Sequence, residues 1–160
     1  MPHGLERFRS AQDDLVAGFD SALAEIRAGQ KQGHWIWYLF PQLAGLGRSS
    51  VAQKYEINGR AEAIEYLRDP VLSERLLTVT QAVAAHATRG ESLVHLMNSR
   101  IDAQKLVSSL TLFESVAREL SASAKGENDL SLVAASNTVL DAAGQQGIPR
   151  CRYTLDMLAR

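Results

Sequence analysis

Lys105 is the side chain in this sequence whose position most needs a chemical explanation. When residues 99–120 are set on a helical wheel at about 100° per residue, Ile101, Leu106, Leu110, Leu112, Phe113, Val116 and Ala117 fill an arc of about 180°. Lys105, Asp102 and Ser109 fall inside that arc, and Ser108 lies at its edge. A lysine turned toward a core needs a partner, because an unpaired buried ammonium is costly or gives up its proton. Asp102, three residues earlier, is within reach on the same helix. Three chemistries fit this arrangement. One is a lysine snorkelling at the core edge in a helical ion pair, which is purely structural. Another is a polar pocket floor that offers the ammonium to an anion. The third is a Ser–Lys nucleophile pair with a desolvated lysine as base. The K-x-x-S order here reverses the usual S-x-x-K order, and it is common by chance.

The second polar group set among apolar residues lies in His34-Trp35-Ile36-Trp37-Tyr38-Leu39-Phe40-Pro41-Gln42, the densest apolar segment of the chain. His34 is of the residue type best suited to acid–base work, although a histidine at a segment edge is more often a hydrogen-bonding strut. Trp35 and Trp37 read first as core, and second as a stacking wall for a planar ligand. Gln42 can donate and accept at once, so it can orient a ligand or satisfy backbone in a turn. Other chemistries are absent from the sequence. Gly45-Leu46-Gly47 lacks the third glycine and the following acidic strand of a dinucleotide fingerprint. His3, His34, His86 and His95 have no metal-ligand spacing, and Cys151 stands alone, so no metal and no cofactor is expected.

The elements that must position these groups read as helix after helix. Leu5, Phe8, Leu15, Phe19, Leu23 and Ile26 recur at helical steps, with Gly18 as a break and Gly29 as a stop. Residues 34–40 admit either a short extended segment or a buried helical piece, ended by Pro41. Ser50 to Gln53 has capping-box spacing. Asn58-Gly59 reads as a turn before a helix over 61–67. Asp69-Pro70 is an acid-then-proline helix start, and Ser99 with Asp102 is a second capping box. Residues 121–129 are small and polar and read as a flexible internal loop. Two more helices are expected, over 130–143 and 153–159. The sequence therefore predicts an all-α, compact multihelical single domain over 1–160, with the helix from Ser99 to about Leu120 at its centre.

Composition bounds the function. The chain has 160 residues and is 46% hydrophobic with a net charge of −1, which fits one globular domain able to build a core without disulfides. Seventeen basic against 18 acidic residues argue against nucleic acid as a partner. The longest dense apolar stretch, 35–40, is far short of the roughly 18 residues of a membrane span, and residues 1–20 lack an apolar signal region. A cytoplasmic domain is expected.

Residues 34–42 followed by Leu43-Ala44-Gly45-Leu46-Gly47 resemble the signature of domain-of-unknown-function family 1810. Lys105-Leu106-Val107-Ser108-Ser109-Leu110-Thr111-Leu112-Phe113 resembles its second signature. Arg7-Phe8, Ala11-Gln12, residues 25–29, 52–57 and 67–76 also match, so the likeness covers roughly 5–117. The first block is highly specific, since few nine-residue words contain W-x-W-x-x-F-P-Q. The resemblance implies a compact, mostly helical domain of bacterial type and no established activity. The sequence departs from the family at residues 121–129, which form a looser connector. It departs again at Cys151, where an acid usually stands three before Thr154, and at Ala103, where a second acid often precedes the lysine.

Both signature blocks carry polar residues within apolar surroundings, which suggests two walls of one site. The site expected from the sequence comprises His34, Trp35, Trp37, Gln42, Lys105, Ser108 and Ser109. It would hold a small anionic or nucleotide-like ligand, in a monomer or weak homodimer. The alternatives are a non-enzymatic protein-interaction module, or a polar cluster that is purely structural.

Overall fold

The computed structural model describes residues 4–123 and 127–160. Among these there are ten helices and no strand. They are α1 (Glu6–Gln12), α2 (Phe19–Ala28), α3 (Ile36–Leu39), α4 (Ser50–Lys54), α5 (Gly59–Arg68), α6 (Pro70–Thr88), α7 (Leu93–Met97), α8 (Arg100–Ser123), α9 (Glu127–Gln145) and α10 (Arg152–Leu158). The expected all-α class holds, and one continuous core runs from Phe8 to Ile148.

Local chemistry explains most boundaries. The Asp69 carboxylate accepts the Val71 and Leu72 N–H groups at 3.0 Å each, with Pro70 in the first turn, as the acid-then-proline start predicts. Ser99 Oγ accepts the Asp102 N–H at 3.0 Å and so opens α8. This is only half of a capping box, because the Asp102 carboxylate is turned to two lysines instead. The cap of α4 is Ser49, one residue before the expected Ser50. Residues 34–40 are not extended, since Ile36–Leu39 form one helical turn. Phe40, before Pro41, leaves the helical region, as the proline ring requires. Of the expected loop at 121–129, residues 121–123 and 127–129 are helical. Helix α8 continues through Ser123 and α9 begins at Glu127, while residues 124–126 lie outside the described residues.

Helix α8 is the central element. It packs against α3, α5, α7, α9 and α10, while α6 packs against both α9 and α2. Its middle is buried on nearly every side, from Leu106 and Val107 through Leu110, Leu112 and Phe113 to Val116 and Ala117. The single apolar arc read from the sequence is therefore too narrow at mid-helix and too wide at the start, where Ile101 is 65% exposed. Around this axis sit the large buried side chains, among them Trp35, Tyr66, Phe8 and Phe40. The Tyr66 ring lies 5.0 Å from that of Phe113 and edge-on to Phe8 at 5.2 Å.

The glycines of Gly45-Leu46-Gly47 have a packing cause rather than a phosphate-binding one. Gly45 has φ +102°, and a Cβ there would overlap the Tyr153 hydroxyl, which donates to the Ala44 carbonyl at 2.9 Å. A Cβ on Gly47 would overlap that of Ala52.

Candidate functional site

The first turns of α8 meet the segment between α2 and α3, and a chain of charges crosses this junction. It begins at Glu25 in α2. Glu25 Oε1 accepts the N–H groups of Gln32 at 2.7 Å and Gly33 at 2.8 Å, and the indole N–H of Trp35 at 2.8 Å. A fully buried tryptophan needs a partner for its N–H, and this carboxylate supplies it. Partial burial pushes the Glu25 carboxyl up. The donors from Gly33, Trp35 and Gln32 and the nearby Lys31 ammonium outweigh that and hold it below the ordinary carboxylate value.

Lys31 is the next link. Its backbone N–H reaches the Leu96 carbonyl at 2.7 Å, which ties the segment to α7. Its ammonium donates to the Gly33 carbonyl at 2.6 Å, pairs with Asp102 Oδ2 at 2.9 Å and lies 5.2 Å from the centre of the Trp35 ring. With its side chain only 6% exposed, Lys31 is a buried cation with its partners in place.

Lys105 is different. It meets the other oxygen of Asp102 at a longer 3.6 Å, and its ammonium stands 4.5 Å from the centre of the Trp37 ring. Its side chain is 24% exposed and Trp37 is half-buried, so this end of the chain of charges opens to solvent. Helical side chains lean toward the N-terminus, which is why Lys105 points at Asp102 and away from Ser109.

Of the residues expected from the sequence, the structure brings Trp37 and Lys105 together across the two signature segments. Trp35 belongs to the same junction but presents no face to solvent, being 0% exposed. His34 is exposed. The Gln42 carbonyl accepts the Ile57 N–H at 2.9 Å, and its amide lies beside Gly47. Ser108 is half-buried. Ser109 is fully buried, and its hydroxyl has no hydrogen-bond partner among the described residues. Among the described residues, no hydrogen bond or ion pair joins His34, Gln42, Ser108 or Ser109 to Lys105.

Glu25 and Lys31 are not among the residues that the sequence singles out. The available signal was the indole N–H of Trp35. Once that ring is assigned to the core, an acceptor must come from a neighbouring element, and Glu25 at the end of α2 is the nearest acid upstream in sequence. The departure at Cys151 also has a structural meaning. Cys151 is the N-cap of α10 and gives that helix no side-chain cap, while its own N–H is received by Thr111 Oγ1 of α8 at 3.1 Å. An acid there would be a natural cap.

Taken together, these features define a single-domain, all-α protein with a buried central helix and a charged junction at that helix's first turns. The chain belongs to the family described as "Protein of unknown function (DUF1810)", whose sequence profile matches residues 2–129. It is also similar to the crystal structure of the conserved hypothetical protein Rv1873 from Mycobacterium tuberculosis. The TM-score is 0.73 at 33% sequence identity, over 97% of this chain and 96% of that one. No curated protein matches the chain.

Proposed function

We propose that this chain binds a small ligand that joins a planar group to an anion, at the edge formed by Trp37 and Lys105. The observation that carries this reading is the unequal sharing of Asp102. Its carboxylate is already claimed by the buried Lys31 at 2.9 Å, so Lys105 at 3.6 Å is a cation with donors to spare, partly in solvent and beside an aromatic face. An ammonium has three N–H donors, and one long contact leaves most of them open to a carboxylate or phosphate. A nucleotide-like ligand supplies both the anion and the ring.

A structural reading applies to the other half of the junction. Glu25, Lys31 and Trp35 are paired and packed, and their work is to hold the 31–37 segment against α8.

The test is a thermal-shift series with inorganic phosphate, pyrophosphate and adenine nucleotides on the wild type, Lys105→Met and Trp37→Phe. At 100 times Kd, a ligand bound only by the native state stabilises by about 2.7 kcal/mol. A rise in Tm with a nucleotide that vanishes in Lys105→Met and weakens in Trp37→Phe supports the site. Equal shifts in the wild type and Lys105→Met, or no shift with any probe, would sink it.

A further inference from the structure

Leu15 and Val16 are the most exposed large hydrophobic residues described, at 93% and 84%. They are adjacent, and they sit at the tip of the turn between α1 and α2. Single exposed aliphatic residues are ordinary, but two neighbours presented almost entirely to water are not. The turn that carries them is held from within. Asp14 Oδ1 accepts the Val16 and Ala17 N–H groups at 2.8 Å each, and the Tyr38 hydroxyl donates to the Ala17 carbonyl. A Cβ on Gly18 would overlap the carbonyl oxygens of Asp14 and Gln12, so the chain doubles back at close quarters there. The tip is thus fixed in advance, which lowers the ordering cost of burying it in a partner.

An open groove of about 440 Å3 lies directly beside the tip, lined by Ser10, Ala11, Ala17, Tyr38 and Tyr55 and by four charged residues, of which Arg7 and Glu6 are already paired with Glu62 and Arg9, and Asp14 and Lys54 are not. Asp14 and Ala17, the residues that flank the tip, are themselves part of this wall, so the tip and the groove are neighbours on one surface. The rings of Tyr38 and Tyr55 lie 5.2 Å apart and give the groove its aromatic surface. Lys54 and Asp14 both line the groove, and neither has an ion-pair partner among the described residues.

We propose that two copies of this chain pair by inserting the Leu15–Val16 tip of each into the Tyr38–Tyr55 groove of the other. A knob and a hole side by side on one face are what a two-fold axis between them requires. The same patch then serves both subunits, and the contact closes instead of growing into a fibre. The charges fit the same operation, since the axis brings Lys54 of one copy to Asp14 of the other. A lipid surface is the poorer occupant, because the unpaired Asp14 stands next to the tip in the chain and anionic headgroups would repel it. With only two short contacts, the pair is a weak one, in keeping with small interfaces.

Sedimentation velocity of the full chain, from about 10 μM to 1 mM, tests this. The wild type is expected to pass from monomer to dimer across that range. Leu15→Glu removes an apolar anchor from both contacts and should weaken pairing about 100-fold or more. Ser10→Trp, at an exposed position in the groove wall, should do the same from the other side. An equimolar mixture of these two variants keeps one intact tip-and-groove contact, and it should pair more strongly than either variant alone. Circular dichroism identifies a variant that fails to fold, in which case Val16→Glu replaces Leu15→Glu. The proposal is overturned by a wild type that stays monomeric throughout, or by a dimer whose midpoint is unmoved in Leu15→Glu. Retention of the wild type but not Leu15→Glu on phosphatidylserine–phosphatidylcholine vesicles, with no dimer in solution, would also overturn it and assign the tip to a membrane.

Discussion

Trp35 and Trp37 stand two residues apart in one segment, each with a lysine over its ring, yet they belong to different environments. Around Trp35 every strong polar group is answered. The indole N–H goes to Glu25, Lys31 goes to Asp102 and Gly33, and the ring itself is out of water. Around Trp37 the accounts do not close, because Lys105 has only the far oxygen of a shared carboxylate and part of its length in solvent. A network with all partners in place rigidifies a fold. A cation with spare donors beside it can meet something from outside. The buried half therefore acts as the support and the open half as the place where binding can occur.

The largest effect expected from this contrast is at Trp35. Trp35→Ala should cost about 3–5 kcal/mol in urea unfolding, the range for large aromatic truncations in cores, and it also takes a donor from Glu25. Trp37→Ala, at a half-buried position, should cost clearly less. A loss under about 1 kcal/mol for Trp35→Ala would mean that the ring is not the support described here.

The two lysines sharpen the comparison. Lys31→Met leaves Asp102 with only the distant Lys105 and should cost about 3 kcal/mol, the lower end for breaking a buried pair, because Lys105 can move closer. Lys105→Met should change stability by less than about 1 kcal/mol, as for other partly exposed pairs. The double variant should lose more than the sum of the two, because Asp102 is then stranded. Equal costs for the two single variants would make Lys105 a structural partner and remove the free cation from the ligand reading.

Much of this fold was legible because it rests on local signals. Asp69 before Pro70, Ser99 before Asp102, and the proline after Phe40 each act within a few residues, and the structure keeps all three. The pairing of Asp102 with Lys105 was legible for the same reason. What failed depended on long-range packing. The wheel placed Ile101 inward, but no element covers the first turn of α8 on that side. Residues 121–129 looked like a loop, since small polar residues carry little pattern, yet helix runs through Ser123 and resumes at Glu127. Lys31 was invisible as a site member because its acid partner lies on a distant element. Asp102 is 71 residues from Lys31, a distance no periodicity spans.

The smallest expected effect concerns pH, and it separates the two halves by titration. The Glu25 carboxyl is held below its ordinary value of 4.5 in the folded chain, as its donors and Lys31 outweigh burial. A group whose pKa is depressed by folding adds stability that is complete above its unfolded value and fades as pH falls through the folded one. Glu25 should therefore contribute above about pH 4.5 and lose that contribution on further acidification. Glu62 is depressed as well. Burial pushes it up, but hydrogen bonds from Arg7 and Asn58 and the Arg7 charge prevail, so an acid limb remains even without Glu25. Glu25→Gln keeps a side-chain oxygen to accept the Gln32, Gly33 and Trp35 N–H groups but has no proton to take up. The plot of unfolding free energy against pH should thus be shallower in the variant below pH 4.5, by less than one proton, and parallel to the wild type above pH 6. Urea unfolding at half-unit steps from pH 3 to pH 7 reads this directly. Superimposable acid limbs would show that the Glu25 carboxylate is not the anchor of the Trp35 side, and the contrast between the two tryptophans would then rest on burial alone.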